Sequence, residues 1–156
     1  MGGRDTSERP NQPDIETLHA SCVALDGRAV LIRGASSSGK SGLALNLMAM
    51  GAELVADDRT QVWRDGNTLM ADAPDRLRGL IEARDVGILR VPSAGPKPIA
   101  FVINMDEVET DRLPEHRQTQ LLGHPITVLR KSTLPHFPAT IIAYLRGQRE
   151  TPDFKP

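Results

Sequence analysis

The segment most directly suited to chemistry is Gly34-Ala35-Ser36-Ser37-Ser38-Gly39-Lys40-Ser41, which satisfies the phosphate-binding pattern G-x-x-x-x-G-K-S in full. Glycines let the backbone wrap so that successive N–H groups point inward at phosphate oxygens, at the positive end of the helix that follows. Lys40 would neutralise the β- and γ-phosphates of ATP, and the Ser41 hydroxyl would hold Mg²⁺. A chance turn rich in Gly and Ser would need no particular flanks. Here Val30-Leu31-Ile32 reads as a strand entering the loop. A helix from Lys40 to Met50, with Leu43, Ala44, Leu47 and Met48 on one side and Gly51 as its stop, reads as leaving it.

Two aspartates, Asp57 and Asp58, close the short strand Glu53 to Ala56 that follows this helix. Open α/β sheets bind ligands at the carboxyl ends of their strands, so at least one of these carboxylates should approach the phosphates. The chemistry needs a base for an attacking hydroxyl and a carboxylate near the metal. Adjacent strand residues point to opposite faces, so both can serve only if the strand has already ended. Glu82 and Arg84, by spacing alone, are a solvated charge pair ahead of a strand from Val86 to Val91.

The elements that position these groups follow from local pattern. His19 to Leu25 and Arg28 to Arg33 read as strands joined by Asp26-Gly27, the dipeptide that supplies the positive φ angles of a two-residue hairpin. That register pairs Leu25 with Arg28 and, stepping outward, sets His19 opposite Gly34 at the mouth of the loop. There the imidazole is either a polar strand end or an active-site group. Gln61 to Trp63 and Thr68 to Ala71 form a second hairpin around Asp65-Gly66-Asn67; further strands are Ile99 to Met105 and Ile126 to Arg130. Ala139 to Leu145 reads as a short helix, although Thr140-Ile141-Ile142 is β-branched and would also suit a strand. Pro92 to Pro98 reads as a surface loop. The class is α/β: a single P-loop domain with a mixed, hairpin-containing sheet.

Composition agrees with one globular domain. The chain has 156 residues, 39% hydrophobic and 25% charged. Residues 1–14 and 148–156 read as polar, flexible tails flanking a domain over 15–147. A net charge of −1 supplies no excess of cations for a nucleic acid or an anionic membrane. No apolar run approaches the length of a membrane span, and the single Cys22 suits a reducing compartment. The expectation is a cytoplasmic protein.

His19-Ala20-Ser21, Gly34 to Ser41, Leu54-Val55-Ala56-Asp57-Asp58-Arg59 and Ile81 to Leu89 together resemble the HPr kinase/phosphorylase family, which phosphorylates a serine of HPr, the phosphocarrier of the sugar phosphotransferase system. The resemblance continues through Asp111-Arg112-Leu113 and Gln118 to Leu121, spans most of residues 17–145, and is closest in form to short members that keep only the catalytic domain. It implies an HPr kinase / phosphoenolpyruvate carboxykinase-like fold, with ATP and Mg²⁺ as cofactors and HPr as partner. It further implies His19 as the active-site histidine, Lys40 as the phosphate-contacting lysine, and Ser41 and Glu82 as Mg²⁺ ligands. Asp58, with Asp57 beside it, would accept the serine proton, and Arg112 would reach the transferred phosphoryl group. The implied site includes Gly34, Ala35, Ser36, Ser37, Ser38 and Gly39 as the nucleotide-binding loop.

Three departures accompany the resemblance. The family's regulatory N-terminal domain has no counterpart, and the loop after the signature segment is shortened to Pro92 through Pro98. The family's basic, glycine-containing stretch tied to dephosphorylation is replaced by Thr133-Leu134-Pro135-His136-Phe137-Pro138, which argues against a phosphorylase activity. Longer members assemble as hexamers, so the resemblance implies a homo-oligomer whose state the sequence leaves open. Two other readings stand beside the kinase: a P-loop kinase of a small metabolite, which the hairpin entering the loop disfavours, and a nucleotide-sensing module, which the intact Lys40, Ser41, Asp57 and Asp58 disfavour.

Overall fold

The computed structural model describes residues 14–151 and 153–154; most of the N-terminal tail expected over 1–14 lies outside them. Strands β1 (Glu16–Leu18), β2 (Ala20–Leu25) and β3 (Arg28–Arg33) precede helix α1 (Lys40–Ala49), and β4 (Glu53–Ala56), β5 (Thr60–Asp65) and β6 (Thr68–Asp72) follow it. A 3-10 turn at Asp75–Leu77 leads to β7 (Leu80–Ala83) and β8 (Gly87–Arg90), then β9 (Lys97–Val108), β10 (Gln118–Leu121), β11 (His124–Lys131) and α2 (Phe137–Arg146).

Among the described residues nine strands form one mixed sheet in the order β1-β5-β6-β9-β3-β2-β4, with β11 alongside β9 and β10 beyond it; β7 and β8 make a separate ribbon. The hairpin register expected from Asp26-Gly27 is the observed one: Leu25 pairs with Arg28, and the ladder runs out to Ala20 opposite Arg33. Both turn residues have positive φ, 52° and 80°, the type I′ geometry whose twist matches the strands. The second hairpin turns tightly on Gly66-Asn67, with Asp65 paired to Thr68. The decisive pairing is parallel: β9 lies beside β3, with Arg33 level with Asn104, so the end of β9 stands next to the phosphate loop.

One face of the sheet packs through Val23, Val30, Ile32, Phe101 and Ile103 against α1 and α2. The other closes over Cys22, Leu31, Val55, Val62 and Val102. The segment around Thr140-Ile141-Ile142 is helical, because tertiary packing outweighs the β-branched preference: Phe137, Ile141, Ile142 and Leu145 all turn inward. Phe101 stacks on Tyr144 with ring centroids 4.5 Å apart. The Arg28 guanidinium donates to the carbonyls of Tyr144, Leu145 and Gly147 at 3.2, 2.7 and 3.0 Å, capping the open end of α2.

Several elements differ from the sequence expectation. β1, β7 and β10 each form short strands whose partners, β5, β8 and β11, hold them in place. The strand expected over Val86 to Val91 is the second arm of a hairpin, with Glu82 opposite Ile88 rather than ahead of an isolated strand. His19 lies between β1 and β2 instead of starting β2, and β9 begins at Lys97 inside the expected loop.

Candidate active site

The phosphate loop takes its shape from close approach. Gly34, at φ 155°, has no room for a side chain: an added Cβ would lie 2.6 Å from Ser38 Oγ and 3.0 Å from Met105 Cβ. Ser37 and Gly39 both adopt left-handed φ, 70° and 101°, which turn the chain back on itself before α1. Among the described residues no side chain caps α1, and no acidic residue stands in its first turn, which leaves its leading amides suited to an anion. Lys40 folds back over the loop, donating to the carbonyls of Gly34 at 2.9 Å and Ala35 at 3.0 Å.

The strand before the aspartate pair ends at Ala56. Asp58 then adopts φ 64°, a left-handed conformation that sends the two carboxylates to different places. Asp57 turns toward the loop: its Oδ1 accepts from Ser41 Oγ at 2.7 Å and Ser21 Oγ at 2.8 Å. Its Oδ2 accepts the Glu82 backbone N–H at 3.0 Å, which docks the β7–β8 ribbon beside the loop. Asp58 turns outward instead, with Oδ1 2.6 Å from His19 Nε2 and Oδ2 accepting from Arg59 Nη1 at 3.1 Å. Half its side chain is open to solvent, at 51%.

The oxygen donors of Ser41 and Asp57 suit a hard cation such as Mg²⁺, whereas Glu82, expected beside them, meets Asp57 through its backbone N–H and keeps its side chain exposed on β7. Among the described residues no three His, Cys, Asp or Glu side chains gather into a self-sufficient cage, so phosphate oxygens would have to complete the coordination. Arg112 is not brought in. It stands exposed on the loop between β9 and β10 and makes no hydrogen bond or ion pair among the described residues. The base of that loop is anchored by Glu109, which accepts from the backbone N–H groups of Thr110 and Asp111, both at 3.1 Å, and from the Arg117 guanidinium. Burial pushes the Glu109 carboxyl up, but the Asp111 N–H and Arg117 outweigh it and hold its pKa below the ordinary value.

Three residues near the loop escaped the sequence reading. Ser21 bridges the pair, donating to Asp57 and accepting the Asp58 N–H at 3.2 Å. Asp106, in β9 beyond its last residue paired with β3, accepts the Ala35 N–H with both oxygens, at 2.9 and 3.2 Å. Lys131 lies beyond a register shift in β11 that re-aims it, with Nζ 3.5 Å from the Ser38 carbonyl. Only for Asp106 was a signal at hand, a carboxylate closing a strand, but its neighbour was invisible until the parallel pairing was known.

Comparison with known proteins follows the same lines. Residues 13–129 match the family model described as HPr Serine kinase C-terminal domain. The HPr kinase/phosphorylase of Limosilactobacillus reuteri (strain DSM 20016) is 35% identical over 119 residues, covering 69% of this chain and 37% of that protein. The HPr kinase/phosphorylase of Lactococcus lactis subsp. lactis (strain IL1403) is 46% identical over 78 residues, covering 49% of this chain and 25% of that protein. The matched region thus spans between a quarter and little more than a third of the length of these relatives. The structure of the Hpr(Ser) kinase/phosphatase from Coxiella burnetii superposes with a TM-score of 0.72 at 26% identity, covering 84% of this chain and 94% of that one.

Proposed function

The chain belongs to the HPr serine kinase family, and from that premise we propose that it transfers the γ-phosphoryl group of ATP to a serine of HPr. The observation that carries this reading is the division of labour between adjacent aspartates: Asp57 on the loop serine, Asp58 on His19 and open to an incoming hydroxyl. The loop amides and Lys40 bind the phosphates. Ser41, with Asp57 and Glu82, would hold Mg²⁺, which when bound screens phosphate charge. Asp58 takes the proton from the acceptor serine, and the His19 contact orients its carboxylate. Such transfer rests on positioning and electrostatics rather than covalent catalysis. Arg112, on its anchored loop, is the residue assigned to the transferred phosphoryl group from the acceptor side, which requires that loop to approach once substrates bind.

Support for HPr as the acceptor comes from the names of the relatives and from the retained catalytic set. The replacement of the basic stretch by Thr133 to Pro138 supports a kinase without efficient reversal. No helix among the described residues is long and apolar enough to cross a membrane. We place the protein in the cytoplasm with its substrate.

The test is transfer of label from γ-labelled ATP with Mg²⁺ to purified HPr and to HPr carrying Ala at its target serine. Label on the first alone is the expected result, and added inorganic phosphate then measures reversal. ATP binding without transfer would instead favour a nucleotide-sensing module.

A further inference from the structure

A cavity of about 410 Å³ opens at the loop, its wall formed by Gly34 and Ala35 of the loop together with His19, Arg33, Asn104, Asp106 and Thr119. Arg33 follows Leu31 by two positions along β3, so its side chain leaves the sheet on the Leu31 face, away from α1. The carboxylate in the cavity is already engaged, since Asp106 binds the Ala35 N–H. Asn104 is engaged as well, accepting the Asp106 N–H at 2.9 Å and donating to Glu107 at 3.1 Å. Arg33 is half-buried, yet among the described residues its guanidinium has neither a hydrogen-bond acceptor nor an ion-pair partner. A planar fork of five donors held partly out of water gains by meeting oxygen acceptors, which here must come from a ligand.

Two relations say which ligand. The amides that receive nucleotide phosphates lead into α1, on the opposite face of the sheet. The cavity shares His19 with the Asp58 pair, so whatever fills it lies on the side from which the acceptor hydroxyl must come. Its lining, one cation free among the described residues beside a hydroxyl, a carboxamide and an engaged carboxylate, suits the carbonyls and amides of a polypeptide more than a second phosphate. Resting on the kinase reading above, we propose that this cavity receives the segment of the protein acceptor flanking its serine, and that Arg33 is the positioning residue that binds oxygen atoms of that segment.

The experiment measures kcat and KM separately for HPr and for ATP in wild type, Arg33→Gln and Arg33→Lys, with a thermal melt of each. Arg33→Gln should raise KM for HPr about ten- to a hundredfold, the effect of losing hydrogen bonds to a charged donor. KM for ATP and the melting temperature should stay at wild-type values, and Arg33→Lys, which keeps the charge without the fork, should recover part of the loss. An unchanged KM for HPr overturns the proposal, as does a rise in KM for ATP or a lowered melting temperature in both variants. If wild type transfers nothing to HPr, the kinase reading itself fails and this inference falls with it; if wild type transfers and Arg33→Gln is indistinguishable from it, only the inference fails.

Discussion

Replacing Asp58 by glycine should separate stability from catalysis. Asp58 sits at φ 64°, a conformation that costs an L-residue about 1–2 kcal/mol. Its partners are exposed, with His19 at 43%, Arg59 at 53% and Asp58 itself at 51%. Screened pairs of this kind contribute roughly 0.2–1 kcal/mol each. Asp58→Gly removes both pairs, about 0.4–2 kcal/mol in all, and releases the strain, while the freedom of glycine in the unfolded chain takes back about 0.5–1 kcal/mol. These nearly cancel, so the melting temperature should move by no more than roughly 2–4 °C for a chain of this size. Asp58→Ala loses the same pairs but keeps the strain, and should lie about 0.5–1 kcal/mol below the glycine variant. Both should lose about 10²- to 10⁴-fold in phosphoryl transfer, the usual contribution of a positioned base. Thermal melts followed by circular dichroism, beside the label-transfer assay, read the two axes independently. A glycine variant less stable than the alanine variant would refute the strain argument, and transfer near the wild-type rate in both would refute the base assignment.

Lys40→Ala should abolish transfer while leaving the melting temperature close to wild type, since among the described residues Nζ bonds only the loop carbonyls of Gly34 and Ala35; near wild-type turnover would remove Lys40 from the mechanism. Because the Glu109 carboxyl is held below its ordinary value, it stabilises the fold above the unfolded pKa, and that contribution disappears as pH falls through the folded value. Glu109→Gln should therefore melt lower than wild type at neutral pH, with the gap closing in acid below about pH 4; a gap that stays constant with pH would contradict the assignment. Cys22 is fully buried and burial pushes its thiol pKa up, so a thiol reagent should label the native protein only at the rate of unfolding. Rapid labelling under native conditions would disprove that burial.

The residue order alone determined what depends on neighbours along the chain. Asp26-Gly27 set the hairpin register through backbone sterics as far as Ala20 opposite Arg33, while His19, expected opposite Gly34, lies just outside that ladder. The phosphate loop and its helix were legible for the same reason, because their glycines and apolar period act within a few residues. Where β-branched residues 140–142 left helix and strand open, burial of Ile141 and Ile142 chose the helix. Tertiary structure decided the rest of the site. Asp57 and Asp58 are adjacent in sequence, yet their roles diverge because Asp57 meets Ser41 while Asp58 meets His19, 39 residues away. Asp106 reaches Ala35 across 71 residues only because β9 lies parallel to β3, and the same pairing sets Arg33 beside Asn104. No local propensity encodes which strand becomes a neighbour. That choice belongs to the burial of two sheet faces at once, and it alone brings these side chains together.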